Sequence, residues 1–205
     1  MARDTQSIVK MSRREGYALH PKAHKALAKR INMPGQAPNA RSRNKPSQYS
    51  LQLREKQKVK RLYGLLEKQF SNLMAEAART PGQSGAALLQ YLERRLDNTV
   101  YRAGFATSRR AARQLVTHGH FMYNGRRVDI PSIRVKVGDV IEIREHSKAN
   151  EYFKKLDDTS PAPSTTPTWQ TIDRKKVQVK VTGLPVRDDA EPDINEQLIV
   201  EYYSR

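Results

Sequence analysis

The stretch TSRRAARQLVTHGHF, residues 107–121, puts Arg109, Arg110 and Arg113 just ahead of His118 and His120, which straddle Gly119. Two chemistries are open to such a set. Paired histidines bind transition metals or move protons. Guanidinium groups bind phosphate through a planar fork of two parallel charge-assisted hydrogen bonds, and they stack on bases. A metal site needs three or four ligands, yet the other histidines, His20, His24 and His146, are distant in sequence and the chain has no cysteine. There is also no Gly-x-Ser-x-Gly elbow, no phosphate-cradling glycine loop ending in Lys-Ser or Lys-Thr, and no His-Glu-x-x-His. The histidines therefore read as a turn, and the arginines as the chemistry. Arg109 and Arg113 lie one helical turn apart, and free N–H groups near 108–110 add to anion attraction. Arg126 and Arg127 follow the next turn signal, so a helix and a hairpin can both present basic groups.

The charge of the whole chain points the same way. Its 205 residues carry a formal net charge of +17, and the excess is concentrated. Fifteen basic and three acidic residues give residues 1–60 a net +12, while residues 61–93 are neutral. Ten basic and two acidic residues give 94–136 a net +8, and 137–205 carry −3. Like charge gathered in this way calls for a polyanion, most simply nucleic acid. An anionic membrane would want a basic amphipathic helix with exposed aromatics, and the first 45 residues show none. No apolar run approaches the ~20 residues of a membrane span and no signal-peptide apolar region opens the chain, so the expectation is a soluble cytoplasmic protein. The absence of cysteine removes zinc-finger and thiol-redox readings and fits a reducing compartment.

The elements that must hold these residues follow from periodicity. Residues 1–46 read as an extended basic arm, with apolar residues too scattered to close a core; HPKAHKALAKRI can form a helix or two turns. From Ser47, Leu62, Leu66, Phe70, Leu73 and Ala77 recur at three- and four-residue intervals, with Gly64 placed to divide the region. A further helix is predicted from about Ala86 to Ala103, ended by Gly104. Thr107 or Ser108 caps the arginine helix, about ten residues long, and Gly119 ends it. HFMYNGRRV is a hairpin around Asn124-Gly125, GDVIEIRE is a half-buried strand, SKANEYFKKLDD returns to helix, and KVQVKVT alternates as a strand. TSPAPSTTPT reads as a link, and DINEQLIVEYYSR opens with a capping-box spacing at Asp193 and Glu196.

At this point the residues resemble a known family. RRLDNTVYRAGFATSRRAARQLVTHGHFMYNGRRVDIPSIRVKVGDVIEIRE is similar to the RNA-binding module named after small-subunit ribosomal protein number four. YSLQLREKQKVKRLYGLLEKQF resembles the helical domain of that family nearly word for word, and MAR, SRREG, PGQ and INEQLIVEYYSR agree as well. The resemblance spans essentially residues 1–205. It implies an α+β fold: a helical domain of residues 47–92 with 185–205, and an inserted α/β module with its β-rich extension at 93–184, whose core is 94–145. In the module, helix-turn-helix-like helices pack on a small, mainly antiparallel sheet.

The resemblance also implies a function. The family binds small-subunit ribosomal RNA at a junction of the 5′ domain and nucleates assembly there. It contacts small-subunit protein number five, lines the channel where messenger RNA enters, and contributes to translational accuracy. Carried over by position, the RNA face of the module falls on Arg109, Arg110, Arg113, Gln114, His118, Gly119, Asn124 and Gly125. The contacts of the helical domain fall on Tyr49, Gln52, Arg54, Lys56, Lys58, Lys60 and Arg61, and the messenger-facing residues on Arg41, Arg43 and Lys45. No cofactor, metal, membrane contact or homo-oligomer is expected. Two rivals stand beside this reading. Pseudouridine synthases carry the same module and place their catalytic aspartate in an Arg-Leu-Asp context like Arg95-Leu96-Asp97, here expected mid-helix. A free-standing RNA-binding protein would carry the module without REKQKVKRLYG or LIVEYYSR.

Overall fold

Apolar side chains at helical spacing from residue 52 onward must be buried by neighbouring helices, and the computed structural model meets that demand with an α+β arrangement. It describes residues 4–30, 32–35, 46–163 and 165–204. The chain divides into two compact units, residues 1–88 with 193–205 and residues 89–192.

In the first unit, α1 (Ile8–Glu15) ends at Gly16, whose φ of 64° gives the left-handed turn that glycine adopts without strain. The α2 helix (Pro21–Lys29) starts with Pro21 in its first turn, and the His20 side chain accepts from the Lys22 N–H. Ser47 caps α3 (Gln48–Leu62) by accepting from the Ser50 N–H. Gly64 at φ 66° then separates α3 from α4 (Glu67–Arg79). The α5 helix (Ser84–Glu93) begins in this unit. Met11, Leu19, Ala23, Val59, Leu62, Phe70, Met74 and Ala77 are buried, with Ile199 from the C-terminal helix packed on α3. Where an extended arm was expected over residues 1–46, with a helix or two turns at HPKAHKALAKRI, α2 fills that stretch and α1 adds a helix that was not expected. Met11 and Ala23 are buried because α1 and α2 pack on each other and α1 packs on α3.

In the second unit the helix expected from 86 to 103 is broken. The α5 helix stops at Glu93 and α6 runs Leu96–Arg102. Backbone pairing elsewhere takes the intervening groups: Leu96 and Asp97 N–H donate to the carbonyls of Ile133 and Pro131, and Val135 N–H donates to Arg94 O. Asp97 accordingly lies in the first turn of α6 and not mid-helix. The α7 helix (Arg109–Thr117) is capped by Ser108, whose Oγ accepts from the Ala111 N–H, and Gly119 at φ 71° turns the chain out. The strands follow: β1 (Phe121–Tyr123), β2 (Arg126–Val128) and β3 (Val140–Ile143). Helical turns α8 (Glu145–Lys148), α9 (Glu151–Lys154) and α10 (Leu156–Thr159) replace the single helix read there. Next come β4 (Gln170–Asp173), which the sequence reading did not separate as a strand, and β5 (Gln178–Val181).

These strands form an antiparallel sheet ordered β2-β1-β3-β5-β4. Asn124 and Gly125, at φ 50° and 77°, make the two-residue hairpin turn between β1 and β2. The inward face of the sheet and α6 and α7 enclose Leu96, Val100, Phe105, Ala112, Val116, Phe121, Ile141 and Val179. The C-terminal helix of the first unit, α11 (Glu196–Tyr203), is capped by Asn195, which accepts from the Gln197 N–H, rather than by Asp193. Among the described residues no helix is long and apolar enough to cross a membrane.

Phe121 is fully buried between Phe105 and Phe153. Phe121→Ala should lower the unfolding free energy by about 3–5 kcal/mol, read as a fall in the urea midpoint.

Candidate nucleic-acid interface

The position of α7 is set by a buried polar network. Glu93 is completely buried, and its two carboxylate oxygens accept from Nε and Nη2 of Arg102 at 3.0 and 2.8 Å. Asn98 Nδ2 donates to Glu93 Oε2 at 2.8 Å, while Asn98 Oδ1 accepts from Arg109 Nε at 2.9 Å. Arg109 Nη2 donates to Glu191 at 2.9 Å, and its guanidinium lies 4.6 Å from the centre of the Tyr101 ring. Arg95 makes a bidentate pair with Asp97 at 3.0 and 2.9 Å, and Arg113 Nη1 lies 3.7 Å from the same carboxylate.

Of the three arginines expected to meet phosphate, then, Arg109 has its fork engaged inside the protein. Arg113 is largely covered beside Asp97, and Arg110 is exposed. Arg110, Gln114 and His118 follow one another at four-residue spacing as an exposed strip along α7. Gly119 is buried under Arg127: a Cβ there would stand 2.8 Å from Arg127 Nε. Arg126 and Arg127 themselves are exposed on β2. The hairpin turn is fixed from below, because Asn124 Nδ2 donates to Asp139 at 2.8 Å and its Oδ1 accepts from the Val140 N–H at 2.8 Å.

Tyr123 donates its hydroxyl to the same Asp139. Burial and this hydrogen bond push the Tyr123 hydroxyl from 10.0 up to about 12. Burial opposes ionisation of Asp139, but hydrogen bonds from Tyr123, Asn124 and the Lys136 N–H hold its carboxyl below the usual value. The two histidine rings are 6.0 Å apart, His120 Nδ1 pairs with Ser147 Oγ at 3.1 Å, and His120 meets Phe153 edge-on. Burial, with His118 and Arg144 adding to it, pushes His120 below the ordinary histidine value. Among the described residues no group of three or more His, Asp or Glu could hold a metal ion.

The first unit presents a second basic row, on α3. Tyr49 is exposed, with its ring 5.9 Å from that of Tyr202. Gln52 and Lys56 are buried, contrary to a role at the surface. Gln52 Nε2 donates to Glu201 at 2.7 Å, and Lys56 Nζ donates to Glu67 at 2.7 Å and sits 4.5 Å over the Tyr202 ring. Lys60 donates to the other oxygen of Glu67 at 2.8 Å, and Lys58 donates to Asp193 O at 2.7 Å. Burial disfavours ionised Glu67, but hydrogen bonds from Lys56, Lys60 and Tyr203 outweigh it and hold the carboxyl at about 2. Arg54 and Arg61 share Glu15. Arg41, Arg43 and Lys45 lie outside the described residues.

Sequence reasoning picked out the cations and missed the groups that hold them: Glu15, Glu67, Glu93, Asn98, Asp139 and Glu191. Glu15 had a visible signal, being one of only three acidic residues in the first 60. Glu191 had none, since Arg109 lies 82 residues away, and Glu93 had none, since its partners five and nine residues on fall at no regular helical spacing.

Two family models match stretches of the chain. A family model described as "Ribosomal protein S4/S9 N-terminal domain" matches residues 3–93, and one described as "S4 domain" matches residues 94–141. The chain is 50% identical over 207 residues to "Small ribosomal subunit protein uS4" of Roseiflexus sp. (strain RS-1), with both chains covered completely. The proteins of that name from Herpetosiphon aurantiacus and Clostridioides difficile are each 49% identical over 211 residues, again with complete coverage of both. The chain belongs to the uS4 family of small ribosomal subunit proteins. The uS4 family consists of structural constituents of the ribosome, not enzymes, which removes the pseudouridine synthase reading of Arg95-Leu96-Asp97. In this uS4-family chain Asp97 is a structural residue, paired with Arg95 and accepting from the Asn98 N–H.

Two outcomes follow from these networks. Glu93→Ala would remove both carboxylate acceptors of the Arg102 fork and one of the two acceptors of Asn98 Nδ2, and should cost about 3–5 kcal/mol in denaturant unfolding. The protonated Tyr123 phenol is favoured in the folded chain, so its contribution is complete below pH 10.0 and is lost as pH rises to about 12. Tyr123→Phe should therefore flatten the fall of stability across that alkaline window, measured by urea titration at each pH.

Proposed function

We propose that the chain is a primary binder of small-subunit ribosomal RNA, gripping a junction of the 5′ domain and nucleating its assembly, in the cytoplasm on the ribosome. What supports this is the exposed basic set built by one helix and one hairpin: Arg110, Gln114 and His118 on α7, with Arg126 and Arg127 beyond the Asn124-Gly125 turn. Their mode of action needs no turnover. Cations replace the counterions around folded RNA, and the rigid sheet beneath them selects shape. The row of Arg54, Lys58, Lys60 and Arg61 on α3 extends the phosphate contacts, with Tyr49 exposed beside it for a base or ribose. Buried Gln52 and Lys56 support that row from inside. Arg109 acts through position, fixing α7, and Gly119 and Asn124 shape the turns on either side of β1. The finer reading taken from the family resemblance includes contact with small-subunit protein number five. It also includes the messenger channel near Arg41, Arg43 and Lys45, and a share in translational accuracy.

The test is filter binding of the full chain to a transcript of the 5′ domain across a salt series. Arg110→Ala/Arg126→Ala/Arg127→Ala should weaken binding by about a hundredfold or more, at roughly 1.5–3 kcal/mol per lost charge-assisted bond. The slope of log K against log salt should fall by about two to three. Unchanged affinity and slope would remove α7 and the hairpin from the RNA face. Arg109→Ala, by contrast, should lower the melting temperature before it alters the salt slope.

A further inference from the structure

The arginines of this chain differ in which edge of the guanidinium they use. Arg95, Arg102, Arg109 and Arg174 all engage Nε and Nη2, the two donors of the fork, with internal acceptors. Arg54 and Arg61 do not. Each donates to Glu15 Oε1 through Nη1, Arg54 at 3.1 Å. Among the described residues, neither Nε nor Nη2 of either side chain has an acceptor. They stand two helical turns apart on α3, and Glu15 reaches them from the last turn of α1. The Glu15 side chain is wholly buried, and among the described residues its Oε2 has no hydrogen-bond partner.

A buried carboxylate with one oxygen unsatisfied is costly, and burial indeed pushes the Glu15 carboxyl up against the pull of Arg54 and Arg61. The arrangement is a poor device for stability alone. It does something a better-satisfied pair would not: it fixes two guanidiniums by their outer nitrogens and leaves both forks unused. Bidentate binding of phosphate requires that fork, and a side chain already immobilised loses less entropy on binding.

We propose that Glu15 is a positioning residue for RNA: its buried carboxylate, shared by Nη1 of Arg54 and Nη1 of Arg61, leaves the Nε/Nη2 edge of each for the phosphodiester backbone. This rests on the RNA-binding reading above. It also gives the helices at residues 8–29 a role, since they carry the carboxylate that organises α3.

Simple electrostatics predicts the opposite sign from positioning, which makes the test sharp. Removing a negative charge beside an RNA site should tighten binding; removing a positioning group should loosen it. The full chain is titrated with the same 5′-domain transcript as wild type, Glu15→Gln, Arg54→Ala/Arg61→Ala and the combined variant, with circular dichroism and thermal melts of each. Glu15→Gln should weaken binding about tenfold, and the combined variant should bind no more weakly than the arginine pair alone. Binding by Glu15→Gln that equals or exceeds wild type overturns the proposal, as does an equal loss in both backgrounds. Should Glu15→Gln melt early, Arg54→Lys/Arg61→Lys decides, because lysine keeps the charge and can meet Glu15 but has no fork. Weaker binding at an unchanged salt slope supports the proposal, and unchanged affinity overturns it. A wild-type chain without salt-dependent affinity for the transcript removes the RNA reading itself, and this proposal with it.

Discussion

A guanidinium shut away from water must be matched by a carboxylate, and Glu93 is where this chain meets that condition most fully. Both of its oxygens are taken by Arg102, and Asn98 couples it to Arg109, which reaches on to Glu191. The end of α5, all of α6, the first residue of α7 and the segment before Pro192 are therefore bound into one set of mutual contacts. Removing any one charge takes a partner from a neighbour that is itself largely buried, which is why such sets hold geometry tightly even where their net contribution to stability is small. The exposed strip of α7 inherits its direction from this set. Arg109 and Arg110 are neighbours in sequence with opposite duties: one anchors the helix and the other faces outward.

That division explains what could be read in the sequence and what could not. Apolar periodicity located α3, α4, α7 and the β1–β2 hairpin, because each depends on local signals: Ser47, Gly64, Ser108, Gly119 and Asn124-Gly125 all act within a few residues of themselves. The break between α5 and α6 was invisible, because it is caused by backbone pairing with Arg134 and its neighbours some forty residues on. The helices at 8–29 were underrated for a related reason. Their apolar faces are too small to hold alone and count only once α2 packs on α1 and α1 on α3. β4 went unseen because its alternation is weak, and Gln170 is a polar residue buried at its start. Of the candidate site, residue type was legible and residue duty was not. Arginine count gave the partner class, but only the hydrogen-bond acceptors separate Arg109 from Arg110.

The α3 row shows the same economy of carboxylates among side chains that are mostly covered. Five cations, Arg54, Lys56, Lys58, Lys60 and Arg61, share Glu15, Glu55 and Glu67. Each bridging carboxylate reduces repulsion between like charges that would otherwise splay the side chains, and it restricts their rotamers before any partner arrives. The helix gives up net charge and gains a fixed array. Long-range attraction then comes from the excess of cations over the whole chain, while the local array decides fit.

The same accounting of donors bears on what kind of RNA feature such a surface can discriminate. Asn124 could in principle read a base edge, but its amide is held at both ends by Asp139 and the Val140 N–H. The Arg95, Arg102 and Arg109 forks, which could read guanine, are closed by Asp97, Glu93, Asn98 and Glu191. On the module this leaves Gln114 and His118 as exposed groups suited to bases, set among cations suited to phosphate. A surface with many phosphate donors at fixed spacing and few base readers distinguishes RNAs by where their backbones lie. Sequence enters only through the fold it produces.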